Sequence, residues 1–348
     1  MNTVHWIMVT TAMLIAAPCM AQPSITYEGS GGAGEGKHIV YIASDHEYRG
    51  EETLPALARI MAKRYGFKCT VFFGRNPEDG TILPGSSNIS GLEVLQDADL
   101  LVVFMRFIQL PDEEMAHFAA YVDRGGPIMG LRTSTHAFQI RKKNPYFRYD
   151  YNYPGEEFPQ GFGRQVLGET WVSHYGTNHA QSSILGIEPE NREHPILRGV
   201  SDMHTQAGGY TADPIAGSTV LARGIILNGM EKTSPVDTEK TLMPVAWVRD
   251  YPSASGALAR IFTTTQGASE DIVNDGFRRM LINAHLWCLG MDDAITPEAE
   301  IGFVGPFNPT PFAFEGYRRG VKPADLADWD APIMNPFAPT KGEKTPAE

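Results

Sequence analysis

The 348-residue chain predicts an α/β fold: a doubly wound, mostly parallel sheet with helices on both faces. Three observations carry that expectation. Short apolar runs alternate with segments of helical period. The joints between them are short and marked by Gly or Pro. The apolar runs end abruptly in polar residues, where an open α/β sheet places its ligand.

Residues 37–43, KHIVYIA, form a buried strand that runs into Ser44-Asp45-His46-Glu47-Tyr48-Arg49. A helix follows with Leu54, Leu57, Ile60 and Met61 on its apolar face and Gly66 near its C-cap. KCTVFF (68–73) is the second strand, and 76–91 a turn-rich connection. DLLVVF (99–104) is the third strand. Pro111 then fits the first position of a helix that Asp112, Glu113 and Glu114 favour through its dipole. Gly125-Gly126 stop that helix near Arg124 before the strand PIMGL (127–131). Residues 141–164 are aromatic, Pro- and Gly-rich and without a period, a surface excursion that either lines a cleft or packs locally. Further strands are expected at 219–225, 244–249 and 257–265. A helix is expected over 270–289, with Ser269 as its N-cap. From Thr296 periodicity fades, and 323–348 are expected to be extended or disordered apart from docking by Trp329 or Phe337.

Residues 1–21 read as a secretory signal peptide. An apolar run over 6–17 is too short to span a bilayer, and Pro18-Cys19-Met20-Ala21 suits a cut after Ala21. Its first six residues, however, lack Lys and Arg. The expectation is an exported, periplasmic or extracellular protein without a membrane span, beginning with a flexible Gly-rich leader over 22–36. Cys69 and Cys288 would then be the cysteines left, read as small buried hydrophobes, with one disulfide as the alternative. With 29 Lys and Arg against 41 Asp and Glu, the net charge is −12, and no long basic block is present. Nucleic acid and anionic membranes are therefore poor partners.

The turn after the fourth strand, Gly130-Leu131-Arg132-Thr133-Ser134-Thr135-His136, has the outline of a nucleophile elbow. Arg132 stands where a class I glutamine amidotransferase carries its cysteine. A guanidinium stays protonated and cannot attack a carbonyl, so glutaminase activity is not expected. Thr133, Ser134 and His136 are placed to cap a following helix or offer N–H groups to an oxyanion. A Ser134–His136 hydrolase pair lacks an acid partner.

His46 beside carboxylates suits a general base or a metal ligand; a capping loop is the bland reading. Glu47 and Arg49 flank it. Arg106 and Arg132 end neighbouring strands, and two guanidinium groups there suit a carboxylate, a phosphate or sugar hydroxyls. Structural pairing of these arginines with Asp45, Glu47 or Glu52 is the alternative. His174 and His179 would join His46 or His136 around a divalent metal, although lone histidines are more often structural. No cofactor is assigned beyond that metal alternative.

IVYIASDHEYRGEE, DLLVVF, the elbow ending Thr135-His136-Ala137-Phe138, SHYGTNH, His194-Pro195-Ile196-Leu197-Arg198-Gly199, PVAWVR and LINAHLWCLG occur in that order. Together they resemble the ThuA-like (trehalose utilisation) family of the class I glutamine-amidotransferase-like superfamily, over about residues 37–291. The resemblance implies a flavodoxin-like α/β fold and a role in carbohydrate metabolism. Two departures stand out: Arg132 replaces the frequent elbow His, and Thr263-Thr264-Thr265-Gln266-Gly267 lacks the usual Gly-His. Residues 292–348, with FVGPFNPTPFAFEGY, lie outside the resemblance.

Three readings follow. The first is an exported enzyme acting on a sugar derivative, whether a hydrolase, lyase or isomerase. Its acid–base group is His46, Arg132 and Arg106 clamp the ligand, and His136 orients it, with Glu47, Arg49, Thr133, Ser134 and His179 lining the site. The second is a non-catalytic carbohydrate-binding or scaffolding module. The third is a metal-dependent hydrolase using His46, His136 and His179.

Overall fold

The computed structural model describes residues 22–333. The expected signal peptide and Phe337 lie outside them. In chain order the strands are β1 (Ser24–Glu28), β2 (His38–Ser44), β3 (Lys68–Phe73), β4 (Leu100–Met105) and β5 (Ile128–Leu131). They continue with β6 (His174–Tyr175), β7 (Ser183–Ile187), β8 (Met203–Thr205), β9 (Gly209–Tyr210), β10 (Thr219–Ile226), β11 (Met243–Pro252) and β12 (Leu258–Thr264). The α-helices are α1 (Gly50–Tyr65), α2 (Asp112–Asp123) and α3 (Asp275–Cys288).

One sheet takes the order β1-β3-β2-β4-β5-β12-β11-β10-β7-β8, and β6 pairs with β9 apart from it. Strands β3, β2, β4, β5 and β12 run parallel. Ranked by their own sequence order they read 2-1-3-4-5, the flavodoxin-like arrangement, which puts the topological switch between β2 and β4. The flanks are antiparallel: β1 on β3, and β11, β10, β7 and β8 beyond β12. The sheet is thus mixed, with the parallel half at its centre.

Alternation along β2 sorts the core into two layers. Ile39 and Tyr41 pack with α1, α3 and the C-terminal segment, whereas Val40 and Ile42 pack with α2 and the aromatic excursion. Helices therefore cover both faces. Gly66 closes α1 in a left-handed conformation, its N–H bonded to Ala62 O.

Three local expectations change, and the excursion takes the second of its two readings. The leader is not uniformly loose, because SITYE alternates and buries Ile25 and Tyr27 as edge strand β1. The helix expected from 270 begins at Asp275, capped by Asn274, whose side chain accepts from Phe277 N. The cause is Asp271: its buried carboxylate accepts from the backbone N–H groups of Gly267, Ala268, Gln206 and Ala207, which holds a separate turn there. Ser269 instead donates to Thr310 O. The excursion is packed rather than draped over a cleft: Tyr149 and Phe162 are buried beside Phe118 and Phe138.

The segment from Thr296 to Ile333 is docked. Arg59 donates to Leu326 O, Asp328 O and Ala331 O, and Trp329 packs on Tyr27. Cys69 and Cys288 are free, buried thiols whose pKa burial raises.

Candidate functional site

The site is built where the parallel strands end. After β2, the Asp45 carboxylate accepts from Glu47 N, Tyr48 N and the Thr133 hydroxyl. These bonds fold the chain back, Arg49 turns left-handed (φ 63°), and α1 begins. The same carboxylate ties this turn to the elbow.

After β5, Arg132 has φ 49°, the uncommon left-handed conformation that a tight elbow imposes on a non-glycine residue. Gly130 permits the close packing beneath it, because a Cβ there would meet Leu167 Cδ1 at 2.6 Å. No α-helix follows. Residues Arg132–His136 form a short 3-10 turn, after which the chain is drawn into backbone pairing with the segment beyond β4: Phe107 N donates to His136 O and Ile108 N to Ala137 O. Ser134 is structural, donating to Val103 O and Leu131 O. Thr133 is held by Asp45 as above.

The Arg132 guanidinium is fully buried between the faces of Tyr48 and Tyr210, 4.0 Å and 4.4 Å from their centroids. Its Nη1 donates to Gly208 O and Thr265 O. Its Nε and Nη2, the planar fork that suits a bidentate acceptor, make no well-formed hydrogen bond, although the Tyr48 side chain lies within electrostatic reach. Nearby, Thr265 Oγ1 and both amide atoms of Gln266 are also buried without partners. The same holds for Asn178 Oδ1, Trp171 Nε1 and His46 Nδ1. Each such group costs about 1–3 kcal/mol when it stays unmet, so their concentration marks a place built for a polar occupant.

Arg106 follows β4 and is half-buried. It contacts His46 Nε2 and sits over the rings of Phe107 (4.8 Å) and Phe314 (5.0 Å). Burial, then the Arg106 charge, lowers the His46 pKa, so the imidazole is neutral at pH 7. Burial, then Asp45, raises the Glu47 pKa. His136 is boxed by Phe107, Trp171 and Tyr210, and its pKa falls well below the usual value through burial and then the Arg106 and Arg132 charges. The elbow histidine is thus a neutral packing group.

Arg49 pairs with Glu51 of α1 and donates to Ala313 O of the C-terminal segment. His179 (φ 63°) stacks on Phe312 at 4.3 Å, and Phe312 stacks on Tyr48. Neither Arg106 nor Arg132 is ion-paired to Asp45, Glu47 or Glu52. Among the described residues no group of three His, Cys, Asp or Glu could hold a metal ion. The set His46, His136 and His179 is not assembled: Arg106, the aromatic box and Phe312 claim them separately.

The motifs did not point to Tyr210, Phe312 or Phe314. Tyr48 stood inside the DHEYR stretch and Gln266 inside TTTQG without being assigned. Phe312 and Phe314 come from the segment beyond the family-like region and pack on the site, Phe312 on Tyr48 and Phe314 beside His46 and Arg106, with Ala313 N donating to Glu47 O.

The family model described as ThuA, trehalose utilisation, matches residues 45–288. Among solved structures, a protein described as ThuA-like from Parabacteroides merdae ATCC 43184 is similar at 15% identity and TM-score 0.47, covering 80% of this chain and 97% of its own. Another so described, from Bacteroides uniformis ATCC 8492, is similar at 13% identity and TM-score 0.47, covering 78% of this chain and 98% of its own. No curated protein matches the chain.

Proposed function

The chain belongs to the ThuA (trehalose utilisation) family, which assigns it a carbohydrate-related role, and on that premise we propose that it binds and processes a sugar derivative in the crevice outside β2, β4, β5 and β12. The observation that carries this reading is the cluster of unpartnered buried polar atoms around Arg132: Nε, Nη2, Thr265 Oγ1 and the Gln266 amide. A sugar offers closely spaced hydroxyl and carbonyl oxygens, each able to donate or accept, and so matches a mixed set of donors and acceptors. Arg132 is fully covered. In this reading the ligand enters past His46 and Arg106 as 171–179 lift from Phe312.

Proton transfer falls to two groups whose environments shift them in opposite directions. Burial, then Asp45, raises Glu47, which suits a proton donor; burial, then Arg106, lowers His46, which suits an acceptor. Neither a thiol nor a free serine stands at the elbow, so glutaminase and Ser134 acyl-transfer chemistry are excluded from the proposal. Export through the N-terminal segment remains part of it.

The test couples binding to exchange. Mature protein is screened by thermal shift against neutral and oxidised sugars, and hits are incubated in D2O and followed by proton NMR. A saturable shift with deuterium incorporation, reduced at least about tenfold in Glu47→Gln, agrees with the proposal. Binding without exchange would leave a carbohydrate-binding module. No binding by any sugar would reject both.

A further inference from the structure

A cavity of about 450 Å³ opens beside Phe107, lined by Ser87, Phe107, Gln109, Gln139, Ile140 and Arg141. Phe107, its inner wall, has φ 55°, a genuine outlier for a bulky residue. Two backbone bonds on the elbow side, Phe107 N to His136 O and Ile108 N to Ala137 O, hold it there. Its ring touches His136 and Tyr151, and the Arg106 guanidinium lies over it. A strained aromatic side chain thus joins the cavity to the Arg106 end of the site.

No ion pair neutralises the arginines around this opening, although Glu47 lies within electrostatic reach of Arg106. The protein carries −12 overall, yet neither Arg106 nor Arg141 forms an ion pair among the described residues. Arg106 meets a neutral imidazole and two aromatic rings. Arg141 is exposed in the cavity wall, followed by the exposed Lys142 and Lys143. The acids nearest in the sequence and site are otherwise engaged: Asp45 by Thr133 and backbone, Asp112 by Asn144, Glu315 by Arg319. Gln109 Oε1 accepts from Arg141 N and fixes the base of the arginine.

We propose that this cavity is an anion subsite and that the ligand is an acidic sugar, seated beside Phe107 with its carboxylate or phosphate on Arg141, the Arg106 guanidinium on the Phe107 ring adding to the positive field. The inference rests on the carbohydrate reading above and narrows its substrate class. Planar guanidinium groups fit either anion bidentately, and in a net-acidic protein a local cationic mouth also selects the anionic ligand during approach.

Isothermal titration of full-length mature protein with matched pairs tests it: glucose against glucuronate, and glucose against glucose 6-phosphate. The expected result is at least a ~10-fold preference for one or both acidic forms, weakened by salt. In Arg141→Ala, an exposed side chain whose removal leaves packing intact, the preference falls to ~2-fold or less while glucose affinity is unchanged. Arg106→Gln is the second variant, checked for folding by circular dichroism. Whether glucuronate or glucose 6-phosphate keeps the larger preference tells carboxylate from phosphate. Equal affinity for neutral and acidic forms, or a preference that survives both substitutions, overturns the inference and leaves the sugar site standing. Failure of every sugar to bind overturns both.

Discussion

Two buried arginines face opposite tasks in this molecule. Arg59, under the C-terminal segment, uses every nitrogen: Nε on Tyr27 Oη, Nη1 on Ala331 O, Nη2 on Leu326 O and Asp328 O. Arg132, at the elbow, uses Nη1 alone and leaves Nε and Nη2 unmet. Both are fully buried, so burial alone does not separate structure from function. Satisfaction does. A buried cation with all its donors bonded anchors a fold, while one with a free fork waits for an acceptor.

The largest effect that sharpens this contrast is on stability. Arg59→Met strips four hydrogen bonds and leaves three carbonyls of the C-terminal segment and the Tyr27 hydroxyl without that partner. Chemical denaturation should show a loss of roughly 3–5 kcal/mol, the range for breaking a buried charged network. Arg132→Met removes two bonds but also two orphaned donors, and should cost less, about 1–2 kcal/mol. Equal losses would break the distinction.

The second prediction concerns pH. Glu52 fastens the C-terminal segment by accepting from Thr310 N and Oγ1, and burial, then Glu51, raises its pKa from 4.5 to about 8. With the folded pKa above the unfolded one, the folded state binds more protons between them. The stabilising contribution is therefore full below about pH 4.5 and is lost as pH rises through about 8. A Tm–pH profile should fall over that window and flatten in Glu52→Gln; an unchanged slope would contradict it.

The smallest effect is local. Asn274→Ala removes the α3 N-cap and should cost about 1 kcal/mol. Ser269→Ala, at the position that capping preference alone suggested, should lose only its bond to Thr310 O, about 0.5–1 kcal/mol. A larger loss at Ser269 would reverse the cap assignment.

Legibility in the sequence followed the same division. β2, β4 and β5 were readable because both faces are buried and the apolar runs are continuous. The elbow was readable because its frame is local. β1 was hidden by the Gly-rich residues after it, although Ile25 and Tyr27 alternate correctly. The antiparallel setting of β11 and β10 depends on partner choice across the sheet, which no local pattern encodes. Arg132, Arg106 and His46 were identified by strand position, but their partners were not. Tyr210 and Gly208 reach Arg132 from about 80 residues away, and Phe312 and Phe314 come from an aperiodic segment. Gln266 was visible as a departure from the family pattern; its unmet amide needed the packing around it.

The most direct test of the central claim is a crystal structure with the tightest-binding sugar. The account predicts ligand oxygens within hydrogen-bonding distance of Arg132 Nε and Nη2 and of the Gln266 amide, with 171–179 displaced from Phe312. A sugar bound elsewhere, with the fork still closed between Tyr48 and Tyr210, would contradict it.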